Sequence, residues 1–226
     1  MSAWRCVGKI TILALLVLLG GLIPYPRALV GTMRRAAEMR AAGEYASALA
    51  GYRQAADLAP AWGVPWQARG EVLLAQGRCT EAAAALRQAE RLGAGPGATL
   101  ALGESLAGQR DWAGALQAWL RAQSLAPGDP QVYLALARGS VAQGSFEQAQ
   151  DYLWAALTLD PSPGQSAVAH ALLGRLLAGD DPEAAAGHLR QAAQEGADML
   201  AVVQAMEAEA EPARRDLPLG PAFLQR

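Results

Sequence analysis

The residue types that most often bind metals or carry out catalysis are few in this sequence and widely spaced. The two histidines, His170 and His188, are 18 residues apart, and no Cys, Asp or Glu stands at a zinc-motif spacing from either of them. The two cysteines, Cys6 and Cys79, are too few and too distant for a disulfide framework. We therefore expect no metal site and no cofactor, and we expect Cys79 to be a small buried apolar residue.

Three further patterns lack the features of the motifs that they partly match. Ser140 and Ser145 have no histidine at a plausible register for a catalytic triad. Asp180 and Asp181 lack the spaced acidic pattern of a calcium loop and are typical of a turn that caps the next helix. The Gly-Pro-Gly at 95–97 has neither the preceding strand nor the following lysine of a phosphate-binding loop. The sequence therefore predicts that the protein is not an enzyme.

The distribution of charge restricts the possible partners. The whole chain has 19 Lys and Arg against 21 Asp and Glu, a net charge of −2. Residues 1–40 have six basic residues and one acidic residue, or +5, so residues 41–226 have 13 against 20, or −7. A nucleic-acid-binding domain needs a basic surface, whereas residues 41–226 have a net negative charge. We expect a protein partner, with no nucleic acid and no small-molecule substrate.

A repeated pattern of small, aromatic and proline residues organises the chain. Four segments share a spacing in which alanines stand three and ten residues after the first position, and they start at Tyr45, Cys79, Trp112 and Phe146. Two of the prolines that follow, Pro127 and Pro161, are 34 residues apart. Alanine lets helices approach closely, and proline ends a helix because it lacks an N–H group. A period of about 34 residues predicts a stack of helical hairpins.

These segments resemble the tetratricopeptide repeat (TPR) family over about residues 29–193. The first helix of the second repeat has the family's aromatic and small residues at Trp66 and Gly70, and a degenerate fifth repeat follows Pro161. The resemblance implies an all-α fold, a right-handed superhelical solenoid of about five helical hairpins. A C-terminal capping helix and an N-terminal hydrophobic helix complete this expectation.

The beginning of the sequence predicts a membrane segment. Lys9 precedes an apolar run at 10–23, and Trp4 and Tyr25 bracket about 33 Å of helix. We interpret residues 4–25 as an uncleaved signal-anchor of a single-pass, bacterial-type membrane protein, with the solenoid on the extracytoplasmic, periplasm-like side. A cleaved signal peptide and a soluble hydrophobic helix are the alternatives, and the arginines after the run also permit the opposite orientation.

Four regions follow from these patterns. Residues 1–28 form the anchor or uncleaved signal, and residues 29–197 form the TPR solenoid. Residues 198–211 are expected to be the capping helix, since a terminal repeat needs a covering element with a polar outer face. Residues 212–226 form a proline-rich tail.

The resemblance also implies where a partner binds, because the first helices of stacked TPR hairpins line their concave face. The family register places these residues on that face: Arg34, Gln67, Glu71, Leu74, Leu100, Glu104, Gln131, Leu134, Arg138, Val141 and His170. The clamp for an acidic chain terminus is missing, since Gln67, Glu71 and Glu104 stand where the family has Lys, Asn and Arg. Leu100 and Leu134 are expected to form an accessible apolar stripe outside the core.

Together these features predict an interaction scaffold. It would be membrane-tethered and bind a peptide segment or helix with apolar anchors during assembly of an envelope or membrane complex. The alternative is a permanent structural subunit of a larger membrane protein complex.

Overall fold

The computed structural model describes residues 27–196, which form ten α-helices joined by short turns and contain no strand. The helices are α1 (Arg27–Ala41), α2 (Tyr45–Leu58), α3 (Val64–Ala75), α4 (Cys79–Arg91), α5 (Pro96–Ala107), α6 (Trp112–Leu125), α7 (Pro130–Ala142), α8 (Phe146–Thr158), α9 (Pro163–Leu177) and α10 (Pro182–Gln194). The prediction of an all-helical fold is confirmed for this range. The hydrophobic N-terminal helix, the capping helix at 198–211 and the tail lie outside the described residues.

The helices pair into five hairpins, which belong to two compact units. The first unit, Met1–Ala61, contains the hairpin of α1 and α2. Its helices approach closely at Gly51, where an added Cβ would lie 2.8 Å from the Cβ of Ala36. The second unit, Trp62–Arg226, contains the other four hairpins, α3/α4, α5/α6, α7/α8 and α9/α10. In each hairpin we call the two helices the first helix and the second helix.

Proline and acidic residues define several of the helix beginnings in the second unit. Proline stands in the first turn of α3, α5, α7, α9 and α10, where its missing N–H would have had no helical partner. Asp111, Asp129 and Asp181 each accept a hydrogen bond from a backbone N–H at the start of the helix that follows. The prediction that Asp181 caps a helix is therefore confirmed.

In three of the four hairpins of the second unit, a glycine of the first helix approaches the second helix of the same hairpin at a position that has no room for a side chain. A Cβ on Gly70 of α3 would lie 2.5 Å from Cγ of Leu86, and a Cβ on Gly174 of α9 would lie 2.7 Å from Cγ of Leu189. In the third hairpin, a Cβ on Gly103 would overlap the indole of Trp119, which is completely buried. These glycines let large apolar side chains reach the first helix's backbone.

In the second unit, successive hairpins pack mainly where the second helix of one contacts the first helix of the next: α4 with α5, α6 with α7 and α8 with α9. The first helices also contact one another in order, α3 with α5, α5 with α7 and α7 with α9, whereas the second helices contact one another less. We call the surface shared by these first helices the inner face. Ion pairs also join successive hairpins: Arg121 of α6 to Glu90 of α4 at 3.4 Å, and Arg138 of α7 to Glu104 of α5 at 3.1 Å.

The prediction of a single-pass membrane protein is contradicted. Within residues 27–196, no helix is long and apolar enough to cross a membrane. The longest helices, α1 and α9, have 15 residues, whereas a span needs about 20 apolar residues. The segment at 4–25, from which the prediction was made, lies outside the described residues. The signal-anchor and the extracytoplasmic location are withdrawn with it.

Replacing Gly103 with alanine should destabilise the protein, because the new Cβ would displace the buried Trp119 ring. We expect a loss of about 1–3 kcal/mol, the usual cost of overpacking a core. The matched control is Gly187→Ala in α10, where a Cβ meets nothing within 4 Å. This change should raise stability by about 0.5–1 kcal/mol through helix propensity. Urea unfolding followed by circular dichroism measures both, and equal stability of the two variants would contradict this packing.

Candidate functional site

The inner face has an ion pair at its centre. Glu104 is in α5 and Arg138 is in α7, 34 residues later, so they hold the same register in successive first helices. Arg138 Nη1 lies 3.1 Å from Glu104 Oε2 and 3.4 Å from Oε1. The Arg138 side chain is 32% exposed and the Glu104 side chain is 27% exposed, so the pair is accessible to a bound molecule but partly shielded from water. Its Coulomb energy is therefore larger than that of a fully exposed pair.

A first cavity lies on one side of this ion pair. Its volume is about 380 Å³, and besides both charged residues it is lined by Leu74, Cys79 and Trp112. The lining is largely apolar, and Arg110 adds a second positive charge. The cavity is open to solvent, so an apolar side chain of a partner could enter it beside two arginines and one glutamate. Cys79 is half-buried and lines this cavity, contrary to the expectation that it is fully buried.

A second cavity of about 380 Å³ lies on the other side of the ion pair. It is lined by Glu104 and Arg138 again, with Gln131 and Leu134 from α7 and Val168 from α9. The two cavities share the ion pair as a common wall. The structure thus brings together five of the residues expected on the binding face: Leu74, Glu104, Gln131, Leu134 and Arg138.

Gln67 and Glu71 form a separate polar pair on α3. Gln67 Nε2 donates a hydrogen bond to Glu71 Oε1 at 2.9 Å, and both residues are half-buried. Gln67 also lies near the start of α5, where a Cβ on Gly97 would be 3.1 Å from its Nε2. The pair is therefore held in place within one first helix.

The apolar residues expected to be accessible are largely buried. Leu100 and Leu134 are each 8% exposed, and Val141 is 2% exposed. Leu134 packs in a core cluster with Leu153 of α8 and Leu172 of α9. The expectation that these leucines lie outside the core is wrong, because neighbouring helices cover them, as α8 and α9 cover Leu134. Among the apolar members of this set, Leu74 is half-buried and lines the first cavity, and the other accessible members are polar or charged.

His170 makes contacts different from those of the ion-pair residues. Its Nδ1 lies 2.9 Å from Nδ1 of His188 in α10, and the rings stack with centroids 5.1 Å apart. Gly70 stands three residues after Gln67, and Gly103 stands three residues after Leu100. By the same offset, Gly174 corresponds to Ala171. The fifth hairpin therefore carries Ala171, and not His170, at this register. Burial, with a contribution from His170, lowers the pKa of His188.

Arg34 lies in α1 and so belongs to the first unit. Its side chain is 77% exposed, and its Nε lies 3.6 Å from Oε1 of Glu38 one turn later. Such an exposed pair contributes little stability. Whether Arg34 takes part in binding stays a prediction.

Sequence reasoning missed Arg110 and Trp112 as possible contact residues. Arg110 follows α5, and Trp112 begins α6, so neither is in a first helix. Arg110 has a positive φ of 63°, which turns the chain between the helices. Trp112 occupies the aromatic position of the repeat pattern, and it is half-buried and lines the first cavity.

Comparison with solved structures identifies the architecture. No family model matches the sequence, and no curated protein matches it. The crystal structure of YrrB, described as a TPR protein with an unusual peptide-binding site, aligns with a TM-score of 0.60 and 22% identity over 78% of this chain and 90% of that one. The chain has the TPR fold. A second TPR protein, TTC0263 of Thermus thermophilus, aligns at 0.60 and 17% over 80% of this chain and 98% of that one.

PilF of Pseudomonas aeruginosa aligns with this chain at a higher TM-score of 0.69, with 19% identity over 83% of this chain and 89% of that chain. At these identities the likeness concerns the fold alone. The inner face described above is the surface that a TPR stack forms from its first helices.

Leu134 and Gln131 offer a matched test of burial on one helix of the TPR stack. Leu134→Ala should reduce the free energy of unfolding by about 2–5 kcal/mol, because it leaves a cavity in a packed cluster. Gln131→Ala, an exposed position one turn earlier, should change it by less than about 0.5 kcal/mol. Urea titrations give both values. A Leu134 variant as stable as the Gln131 variant would show that this leucine is not part of the core.

Proposed function

We propose that this protein is a non-enzymatic scaffold that binds a segment of a partner protein on the inner face of its second unit and so supports assembly of a protein complex. The observation that carries the proposal is the pair of open cavities that flank the Glu104–Arg138 ion pair. YrrB, a solved structure of the same fold, is described as having a peptide-binding site, which supports this use of the fold.

The size and arrangement of the cavities favour an extended segment as the ligand. Each cavity is large enough for one or two side chains of a partner and is too open to enclose a small molecule. Because they share the ion pair as a wall, a chain that crosses the pair places side chains in both cavities. Apolar side chains would supply most of the binding energy by leaving water.

The charges favour an acidic residue beside the apolar anchor. The first cavity has Arg110 and Arg138 against a single carboxylate, Glu104. An incoming Asp or Glu balances this excess positive charge and can accept hydrogen bonds from a guanidinium group. The favoured ligand is therefore a peptide with an apolar side chain next to an acidic one.

A permanent subunit of a larger protein complex is the second candidate. Leu120 of α6 and Trp154 of α8 are 34 residues apart, and they are 45% and 49% exposed. They hold the same register in successive second helices, and exposed apolar residues of this size favour a protein contact. Native sizing of the purified chain separates the candidates: a monomer supports the transient scaffold, and self-association through these residues supports the subunit.

Selection from a random peptide library displayed on phage, with the full-length protein as bait, tests the proposed function. Enriched peptides should pair an apolar with an acidic residue. Arg138→Glu should weaken their binding at least tenfold, about 1.4 kcal/mol, because it places a negative charge where the acidic residue binds. Fluorescence anisotropy with labelled peptides measures the affinities.

The matched control is Arg121→Glu, which breaks the other ion pair between successive hairpins but lies on the second helices. It should leave peptide affinity unchanged. Circular dichroism confirms that both variants are folded. The proposal fails if no peptide is enriched, or if the two reversals weaken binding equally.

A further inference from the structure

The chain leaves the last described hairpin beside the second cavity. Gly196, the last described residue, follows α10 and is exposed. The pKa of Glu195 is lowered first by a hydrogen bond from the Ser166 hydroxyl near the start of α9, and then by the Gln191 amide. Gln165, next to Ser166, lines the second cavity. The 30 residues that follow Gly196 in the sequence therefore start beside the inner face.

This last segment of the sequence, which lies outside the described residues, contains the pattern proposed for a ligand of the inner face. Asp216 is followed directly by Leu217, and Leu219 comes next after Pro218. The favoured ligand has an apolar side chain next to an acidic one. Here two apolar side chains stand two residues apart, directly after an aspartate.

An extended backbone would direct both leucines to the same side. Side chains at positions i and i+2 of an extended chain point the same way and are about 6.5–7 Å apart. Proline favours an extended backbone at the residue before it, here Leu217, and it has no N–H group that would need a partner on binding. The two leucines could thus enter the two cavities on either side of the Glu104–Arg138 pair.

The arginines of the first cavity complement Asp216. Two arginines there face a single carboxylate, so an aspartate balances the excess positive charge. In the sequence, Arg214 and Arg215 precede Asp216 and oppose this attraction. The segment is therefore a weaker ligand than a partner peptide without such arginines, and a partner can displace it.

The connection to the described hairpins is long enough to reach both cavities. Leu217 stands 21 residues after Gly196, which corresponds to at most about 70 Å of extended chain. With the capping helix expected at 198–211, the reach is still about 45 Å, several times the roughly 10 Å between packed helices. A flexible connection gives an effective concentration of about 1 mM, so a segment with a Kd of about 0.1 mM is bound about 90% of the time.

We propose that residues 216–219 of this chain occupy the two cavities of its own inner face until a partner peptide displaces them. This inference rests on the proposed function, because it assigns a ligand within the chain to the same site. With about nine-tenths of the molecules occupied, the apparent affinity for a partner falls about tenfold. The segment thus excludes weak ligands, and only a partner with a high intrinsic affinity binds.

A labelled peptide with the sequence of residues 212–226 tests the assignment when it is added to variants of the full-length protein. The double variant Leu217→Asp, Leu219→Asp removes the chain's own competitor, so it should bind the peptide at least about fivefold more tightly than the wild type does. Adding Arg138→Glu to the double variant should weaken binding at least about threefold, because the partner charge of Asp216 is reversed. Fluorescence anisotropy measures the affinities, and circular dichroism confirms folding.

The matched control is Phe223→Asp, Leu224→Asp, which changes two apolar residues of the same segment outside the proposed motif. It should bind the labelled peptide as weakly as the wild type does. The proposal is overturned if the Leu217, Leu219 variant does not bind the peptide, or binds it no more tightly than the wild type. A control variant that binds as tightly as the Leu217, Leu219 variant would also overturn it.

Peptides selected from the phage library separate this proposal from the proposed function. If they bind the wild type and the double variant equally, and Arg138→Glu weakens both, the inner face binds ligands but the chain's own segment does not occupy it. If Arg138→Glu affects none of these peptides, the proposed function fails, and this inference fails with it. Native sizing tests a second copy as the occupant: wild-type dimers that the double variant does not form would overturn the intramolecular assignment.

Discussion

The close approach of a first helix to its own second helix at a glycine, found in three of the four hairpins, is the constraint on which the second unit depends. Gly70 and Gly103 have no side chain, and their backbones are covered by Leu86 and Trp119 respectively. Trp119 also donates a hydrogen bond from Nε1 to the carbonyl oxygen of Leu100 at 3.3 Å. This bond restrains the orientation of the buried indole ring. This packing sets the distance between the two helices of a hairpin and so holds the inner-face residues of the first helix in position.

The spacing explains why the inner face combines a buried apolar layer with accessible charges. Successive first helices are close enough to bury Leu100 and Leu134, while the longer Glu104 and Arg138 reach past them to form an ion pair. The pair aligns α5 with α7 and separates two cavities that neither helix would form alone. In the proposed function, apolar side chains of the partner gain binding energy by entering the cavities, and the charged residues beside them favour an acidic residue in the partner.

Much of this architecture could be predicted from the sequence, because a 34-residue period reflects a local pattern repeated in each hairpin. That pattern predicted the helical fold, and the family register placed Glu104 and Arg138 on one face. The acidic turn before Pro182 predicted the helix start at Asp181. The repeat pattern could not predict the burial of Leu134, since burial depends on the distance between hairpins. The register of α9 was displaced by one residue because the fifth repeat lacks the aromatic markers of the others. The His170–His188 contact depends on side-chain directions across two helices, which periodicity does not determine.

The central claim is that ligands bind on the inner face, and chemical-shift mapping by NMR tests it most directly. An isotope-labelled sample of the full-length protein is titrated with a peptide selected from the phage library. Amide shifts are expected to concentrate in α5 and α7 around Glu104 and Arg138, and at the start of α6 around Arg110 and Trp112. Shifts confined to the exposed sides of α6 and α8 around Leu120 and Trp154 would contradict it and place binding on the second helices.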